Sequence, residues 1–301
     1  AVRLAQATLD QTPAFGGRQP DLIIDCTGRR RTIARLLDLP TTDGPRTDVA
    51  HFAHFDGFSL DGMPAGQVVT GIMKRGWTWA IPLRDCVSVG IVMNAEHART
   101  FGRTPEEQLV GVMADDPHLG PRSRGARRIT GVATYTNYQK ITARGHGPNW
   151  VLLGDSFGFV DPLFSPGLHL AMHSAELLTA QLDPLLRRFT RSAAAGPVVA
   201  QKPWQRALDG YDTHMHGWFE AWMELIELIY SGKILAMREA GTEWTAKYPG
   251  RFSQWINDHM EGWMARMAAG EATRSRYAWG LLRSSTRYGM RGKDPAKYRI
   301  N

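Results

Sequence analysis

The hydrophobic pattern of this chain has one organising stretch, Trp150 to Ala171. Val151, Leu152 and Leu153 form a short apolar run that stops at Gly154, which predicts a buried strand of a parallel sheet. Asp155 would then stand at the carboxyl end of that strand, where open α/β sheets place their ligands. A loop with Phe159, Pro162 and Ser165 follows. Pro166 and Gly167 open a predicted helix whose apolar residues Leu168, Ala171, Ala175, Leu178, Leu182 and Leu185 recur at helical spacing. Upstream, Leu22 to Cys26 is a second compact β-run, ended by Thr27-Gly28, and Gly28 would permit close backbone approach to a ligand.

Between these runs the period changes. His51–Phe58, Gln67–Met73, Trp77–Leu83 and Val87–Met93 read as strands separated by Gly, Asp and Pro, a spacing that suits an antiparallel sheet. Thr104-Pro105-Glu106-Glu107 is a helix start, with Thr104 as N-cap and Glu107 closing a capping box. Leu109, Val110 and Met113 supply its apolar side, and Ile129 to Ile141 returns to a β-like pattern. A short strand around Val2 and Leu4 and a low-complexity linker at Ser192–Pro197 are also expected. Residues 204–282 read as helical and rich in aromatics. Trp218, Trp222, Leu225, Ile226 and Ile229 make a stripe better suited to a core than to a substrate box. The basic tail after Gly280 is expected at the surface or partly disordered.

Composition narrows the class without naming a function. With 43% apolar and 22% charged residues the chain reads as soluble and globular, with no apolar run near membrane-spanning length. The two cysteines, Cys26 and Cys86, lie in strand-like runs and are expected as buried free thiols in a reducing cytoplasm. The net charge of +7 comes without a nucleic-acid-binding motif. An anionic cofactor or an acidic protein partner accounts for it equally well. No metal site is expected: His169 and His173 have the i, i+4 spacing of zinc ligands, but no further ligand completes a set. One of them could instead face a cofactor or a backbone carbonyl. His214 and His216 are two apart on a helix and cannot share a face. Nor is there a Ser/His/Asp arrangement of the nucleophile-elbow type.

The segment GDSFGFVDPLFSPG resembles the second flavin-contacting motif of the FAD-dependent monooxygenase superfamily, in its flavin-dependent halogenase branch. Phe159, Pro162, Ser165 and Gly167 match that branch's fixed intervals. A second signature of the branch, Trp-x-Trp-x-Ile-Pro, is intact as Trp77, Trp79, Ile81 and Pro82. Asp21 to Arg30 resembles the strand and turn beside the flavin. The resemblance implies an α/β fold: an incomplete FAD-binding Rossmann-like parallel sheet, an inserted antiparallel substrate-facing sheet and a C-terminal helical region. It places the FAD-binding parts at 1–48 and 144–200, the inserted sheet at 49–143 and the helical region at 201–301. It further implies FAD contacts at Gly28, Gly154, Asp155, Pro162, Gly167 and Leu168. Trp77, Trp79, Ile81, Pro82 and Phe159 would wall the substrate passage, and Ser165 and Gly167 would hold halide.

Two departures qualify this. The family's G-x-G-x-x-G loop is absent from the sequence given, and the lysine credited with handling the hypohalous species would lie upstream of Asp21, so no catalytic residue is assigned here. The chain thus resembles the latter two-thirds of such an enzyme. Second, the middle residue of the halide loop is Pro166, which has no N–H to donate. Three readings stand. The first is a halogenase using reduced FAD, O2, halide and a partner flavin reductase on an electron-rich aromatic, free or tethered to an acidic carrier protein. The second is a hydroxylating monooxygenase or flavin dehydrogenase. The third is a non-catalytic fragment or subunit that needs an N-terminal partner.

Overall fold

The structure is a computed structural model that describes residue 11 and residues 20–136, 139–189, 202–290 and 292–301. The strand expected near Val2 and the linker at 192–197 lie outside those residues. In chain order the elements are β1 (Ile23–Asp25), α1 (Thr32–Leu36), β2 (Thr41–Asp43), β3 (Asp48–Asp56), β4 (Val69–Met73), β5 (Gly76–Pro82) and β6 (Val87–Asn94). There follow α2 (Ala95–Ala98), α3 (Pro105–Asp115), α4 (Leu119–Arg122), β7 (Arg127–Arg128), β8 (Ala133–Thr136), β9 (Lys140–Thr142), β10 (Trp150–Leu152) and β11 (Gly158–Phe159). The helices α5 (Pro166–Phe189), α6 (Lys202–Tyr230), α7 (Lys233–Lys247), α8 (Arg251–Ala268) and α9 (Arg276–Ser284) close the chain.

These elements form two compact units. The first takes the described residues of 1–43, 138–226 and 258–282. Its centre is the parallel pair β1–β10, in register Ile23↔Trp150, Ile24↔Val151 and Asp25↔Leu152. Beside it lies a small antiparallel sheet ordered β11-β9-β2. α6 presents a continuous buried line to this unit: Trp204, Leu208, Tyr211, Met215, Trp218, Phe219 and Trp222. Apart from Phe219, the spacing alternates between three and four residues, so the expectation that the aromatic stripe is core holds. The Tyr211 hydroxyl donates to the carbonyl of Leu152 at 2.7 Å, which ties α6 to the end of β10.

α5 differs from its predicted face. Its buried line is Leu170, Ser174, Leu178 and Leu182, while Leu168 is 73% exposed and Ala175 is exposed too. The cause is a polar contact inside the unit: Ser174 Oγ accepts the Gly154 N–H at 3.0 Å and turns that side of the helix inward. Position in a helix face is decided here by tertiary contact, not by hydrophobicity alone.

The second unit takes residues 44–137, 227–257 and 283–301, as far as they are described. Its antiparallel sheet runs β4-β5-β6-β3-β7, with β8 also paired to β3. The four strands expected between 51 and 93 are present with their ends shifted by up to three residues. One face packs Val49, Ala53, Phe55, Val89, Ile91 and Met93 against Leu109, Val112 and Met113 of α3. Val112 occupies the inward position expected of Val110, which is 54% exposed. The α3 capping box forms as predicted: Glu107 N–H to Thr104 Oγ1 at 3.2 Å and Thr104 N–H to Glu107 Oε2 at 3.0 Å.

One expectation is corrected. The cysteines are free but not buried: Cys26 is exposed and Cys86 half-buried, because each sits just beyond a strand end rather than within it. The tail lies at the surface, as one of its two expected states, with most described residues after Leu282 exposed or half-buried; Ile300 N–H bonds the Tyr230 carbonyl at 2.9 Å and Asn301 N–H the Lys74 carbonyl at 2.9 Å. Among the described residues no helix is long and apolar enough to cross a membrane.

The opposite face of the large sheet is aromatic. Trp79, half-buried, pairs with Gly90 and lies across it toward Phe52, with ring centroids 5.9 Å apart. A Cβ on residue 90 would fall 2.2 Å from the Trp79 ring. Gly90→Ala is therefore expected to lower unfolding free energy by about 1–3 kcal/mol through overpacking. Urea unfolding measures the loss, and near-UV circular dichroism should report displacement of the indole.

Candidate active site

The crevice at the carboxyl ends of β1 and β10 is built by one residue in particular. Asp25 is 2% exposed, and its carboxylate accepts the Thr27 N–H at 2.8 Å, the Thr27 hydroxyl at 2.6 Å and the Ile33 N–H at 2.8 Å. These bonds fold the chain into the turn Gly28–Arg30, where Gly28 has φ +61 and open space at its Cβ position. Arg31 follows in the left-handed region and starts α1. The Asp25 carbonyl accepts the Leu153 N–H at 3.0 Å and a short bond from the Ser156 hydroxyl. The turn Gly154–Ser156 is thereby fixed beside Gly28–Arg30.

Gly154 has φ +54, and its Cβ position is 3.1 Å from Ala171 Cβ on α5. From there the chain passes β11 and a second turn, Pro162–Phe164, capped by the Asp161 carboxylate, which accepts the Leu163 N–H at 2.9 Å and a Gln139 amide N–H at 3.0 Å. Ser165 takes φ +52, and its N–H is used by the Pro162 carbonyl at 2.8 Å. Pro166 then begins α5. Gly167 is beside Asp155 and Phe159: its Cβ position is 3.5 Å from the Phe159 ring and 4.0 Å from Asp155 Oδ1.

Three aspartates thus surround this crevice, and two are saturated by the protein. Asp155 is half-buried and has no hydrogen-bond partner among the described residues. Burial pushes its carboxyl above the usual range, with Arg29 opposing. The N–H groups of Gly167 and Leu168, at the positive end of the 24-residue α5, likewise have no acceptor among the described residues. An idle carboxylate beside idle helix donors can take a ligand that carries hydroxyls and an electron-rich ring edge.

Of the residues singled out in the sequence, Gly28, Gly154, Asp155, Phe159, Pro162, Ser165, Gly167 and Leu168 all lie in this first unit. Trp77, Trp79, Ile81 and Pro82 lie on β5 in the second. There Trp77 is 3% exposed and its Nε1–H donates to the Tyr230 hydroxyl at 2.9 Å. Trp79, Ile81 and Pro82 are half-buried. Trp77 and Trp79 do share a face, their rings 5.5 Å apart. Phe52 and Tyr135 extend that face, at 5.6 Å from each other, and sequence reasoning missed both. Their only signal was strand alternation opposite Trp79. His169 and His173 stack in parallel, and His173 meets His214 rather than a metal-ligand set. No group of three or more possible ligands that could hold a metal occurs among the described residues.

A crevice at the carboxyl ends of parallel strands, closed by a helix N-terminus, is the cradle that open α/β folds use for nucleotide-bearing ligands. The profile of the tryptophan halogenase family matches residues 16–274, and the chain belongs to that family. A tryptophan 2-halogenase of Chondromyces crocatus is 28% identical over 249 residues, 81% of this chain and 45% of that protein. A 1H-pyrrole-2-carbonyl-[peptidyl-carrier protein] chlorinase of Pseudomonas fluorescens is 24% identical over 226 residues, 71% of this chain and 47% of that one. The chain therefore spans about half the length of these relatives. Among solved structures, a mutant of the halogenase PltM in complex with FAD shares the fold, with TM-score 0.65 at 17% identity over 92% of this chain and 61% of the other.

The contrast between the aspartates is measurable. Asp25→Ala should destabilise the protein by about 3 kcal/mol, since it strands three donors. Asp155→Ala should change stability by less than about 0.5 kcal/mol, because no donor among the described residues depends on it. Denaturant unfolding of the two variants checks both.

Proposed function

We propose that this chain carries part of a flavin-dependent halogenase that acts on an electron-rich aromatic, a phenol, pyrrole or indole. The observation that carries the reading is the Asp155 carboxylate, which has no hydrogen-bond partner among the described residues, beside Gly167 at the start of α5, where the N–H groups of Gly167 and Leu168 have no acceptor among those residues. Asp155 would accept hydroxyls of the FAD ribityl chain, and Gly167 and Leu168 would face the flavin ring edge. Gly28, Gly154 and Pro162 would shape the backbone around the cofactor. Segments 1–48 and 144–200 would form the cofactor domain, 49–143 the substrate-facing sheet and 201–301 the helical remainder. Bound reduced FAD supplies the electrons with which O2 is turned into an oxidant of halide or of the aromatic. The aromatic face of Trp79, Phe52 and Tyr135 offers stacking area for a planar substrate, and the buried Trp77 on the same face packs beside Trp79. A flavin reductase would supply the reduced cofactor. The carrier-linked substrate in the name of the Pseudomonas relative and the net charge of +7 favour an acidic carrier protein as a substrate donor.

A hydroxylating monooxygenase or dehydrogenase is the second reading, and Pro166 favours it. With Ser165 N–H already bonded and Pro166 lacking one, halide is left with the Ser165 hydroxyl and the Gly167 N–H.

Asp155→Ala in the complete protein should weaken FAD retention about tenfold to a hundredfold, as expected for one charge-assisted hydrogen bond. Unchanged flavin content would remove that assignment. Pro166→Ser should sharpen halide dependence by about fivefold, the effect of one recovered hydrogen bond. The assay is product mass from a phenol or pyrrole with FAD, flavin reductase and chloride or bromide. A halogen isotope pattern that requires added halide supports the halogenase. Oxygen insertion indifferent to halide in parent and variant selects the monooxygenase.

A further inference from the structure

Behind the crevice, the inner side of α5 meets α6 through rings. Trp218 Nε1–H donates to His214 Nε2 at 2.8 Å. An indole N–H only donates, so that nitrogen carries a lone pair and the His214 proton sits on Nδ1. The same nitrogen lies 3.1 Å from His173 Nε2, which must therefore be the protonated, donating nitrogen of its ring. A single acceptor serves two donors, one from each helix. The rings are close: His173 and Trp218 at 4.6 Å, His169 and Trp218 at 5.1 Å, His169 parallel to His173 at 5.8 Å. His169 is also wedged against Gly270, where a Cβ would come within 2.7 Å of its ring.

The charges that face this array are few. Arg274 donates to the His214 carbonyl at 3.3 Å and acts on both His173 and His214. His169 also opposes a charge on His173, and Glu176 favours one. Burial first, then Arg274 and His173, hold His214 below its ordinary value. A proton on His214 Nε2 would turn the shared acceptor into a third donor and leave the Trp218 N–H without a partner. His173 stands on α5 six residues beyond Gly167, so the lock bears on the helix end that lines the crevice.

We propose that His214 is a positioning residue for the cofactor: as a neutral acceptor it holds His173, and with it the first turns of α5, so that flavin is bound tightly only while His214 is unprotonated. This rests on the flavin reading above. The sign follows from the depressed value: the lock is intact above about pH 6.5 and is lost as pH falls through the lowered value of His214.

The test is FAD affinity of the complete protein by flavin fluorescence from about pH 7.5 down to the lowest pH at which the protein stays folded, in parent and His214→Gln, together with the Trp218 indole N–H resonance of the parent. The glutamine amide of that variant keeps an acceptor and does not titrate. Parent affinity is expected to fall about tenfold over that range while the indole resonance shifts in step. His214→Gln should match the parent at the upper pH and lose most of the fall. A fall that persists unchanged in His214→Gln, or an indole resonance that does not titrate, overturns the proposal alone. No FAD binding at any pH overturns the flavin reading and this proposal with it.

Discussion

The crevice depends on the way Asp25 ends its strand. Its side chain gathers three donors from the turn that follows, and its carbonyl receives a donor from each end of the Leu153–Ser156 segment. A buried carboxylate is costly unless its oxygens are satisfied, and here satisfaction and turn formation are the same event. The positive φ of Gly28 and of Gly154 is a consequence of that demand, because the backbone must reverse soon after each strand. Among the described residues Asp155 has no such duty, and its carboxylate is left to meet a ligand.

The large sheet solves a different problem. Its inner face is closed by α3, and its outer face keeps bulky rings half-exposed. Gly90 makes this possible by lowering one strand so that the Trp79 indole can cross it and reach Phe52. A wall of rings backed by a packed core is stiff, and stiff apolar walls suit planar ligands and exclude water.

Local features were legible in the sequence. The strands between 48 and 94, the α3 capping box, the parallel partners on either side of the insertion and the α6 core stripe all follow from period, punctuation and capping chemistry within a dozen residues. Long-range choices were not. Which side of α5 turns inward is set by Ser174 meeting Gly154, and the partner of His173 lies 41 positions away on α6. The tail reads as a basic, featureless end, yet its last two residues are fixed by carbonyls of Tyr230 and Lys74. Asp25 and Asp155 look alike in the sequence, and only the donors around them distinguish a structural acid from an available one.

The stitch between Asp25 and Ser156 joins positions 131 apart, whereas Trp79 and Ser88 across the β5–β6 hairpin are 9 apart. Closing a long loop costs chain entropy before any contact repays it. The hairpin sheet can therefore assemble early from its own neighbours, and the parallel pair must wait until the chain between its strands has condensed. A ligand seated at the end of that pair adds contacts across the same long separation, so slowed hydrogen exchange at Leu153 and Ser156 would be a direct gauge of occupancy.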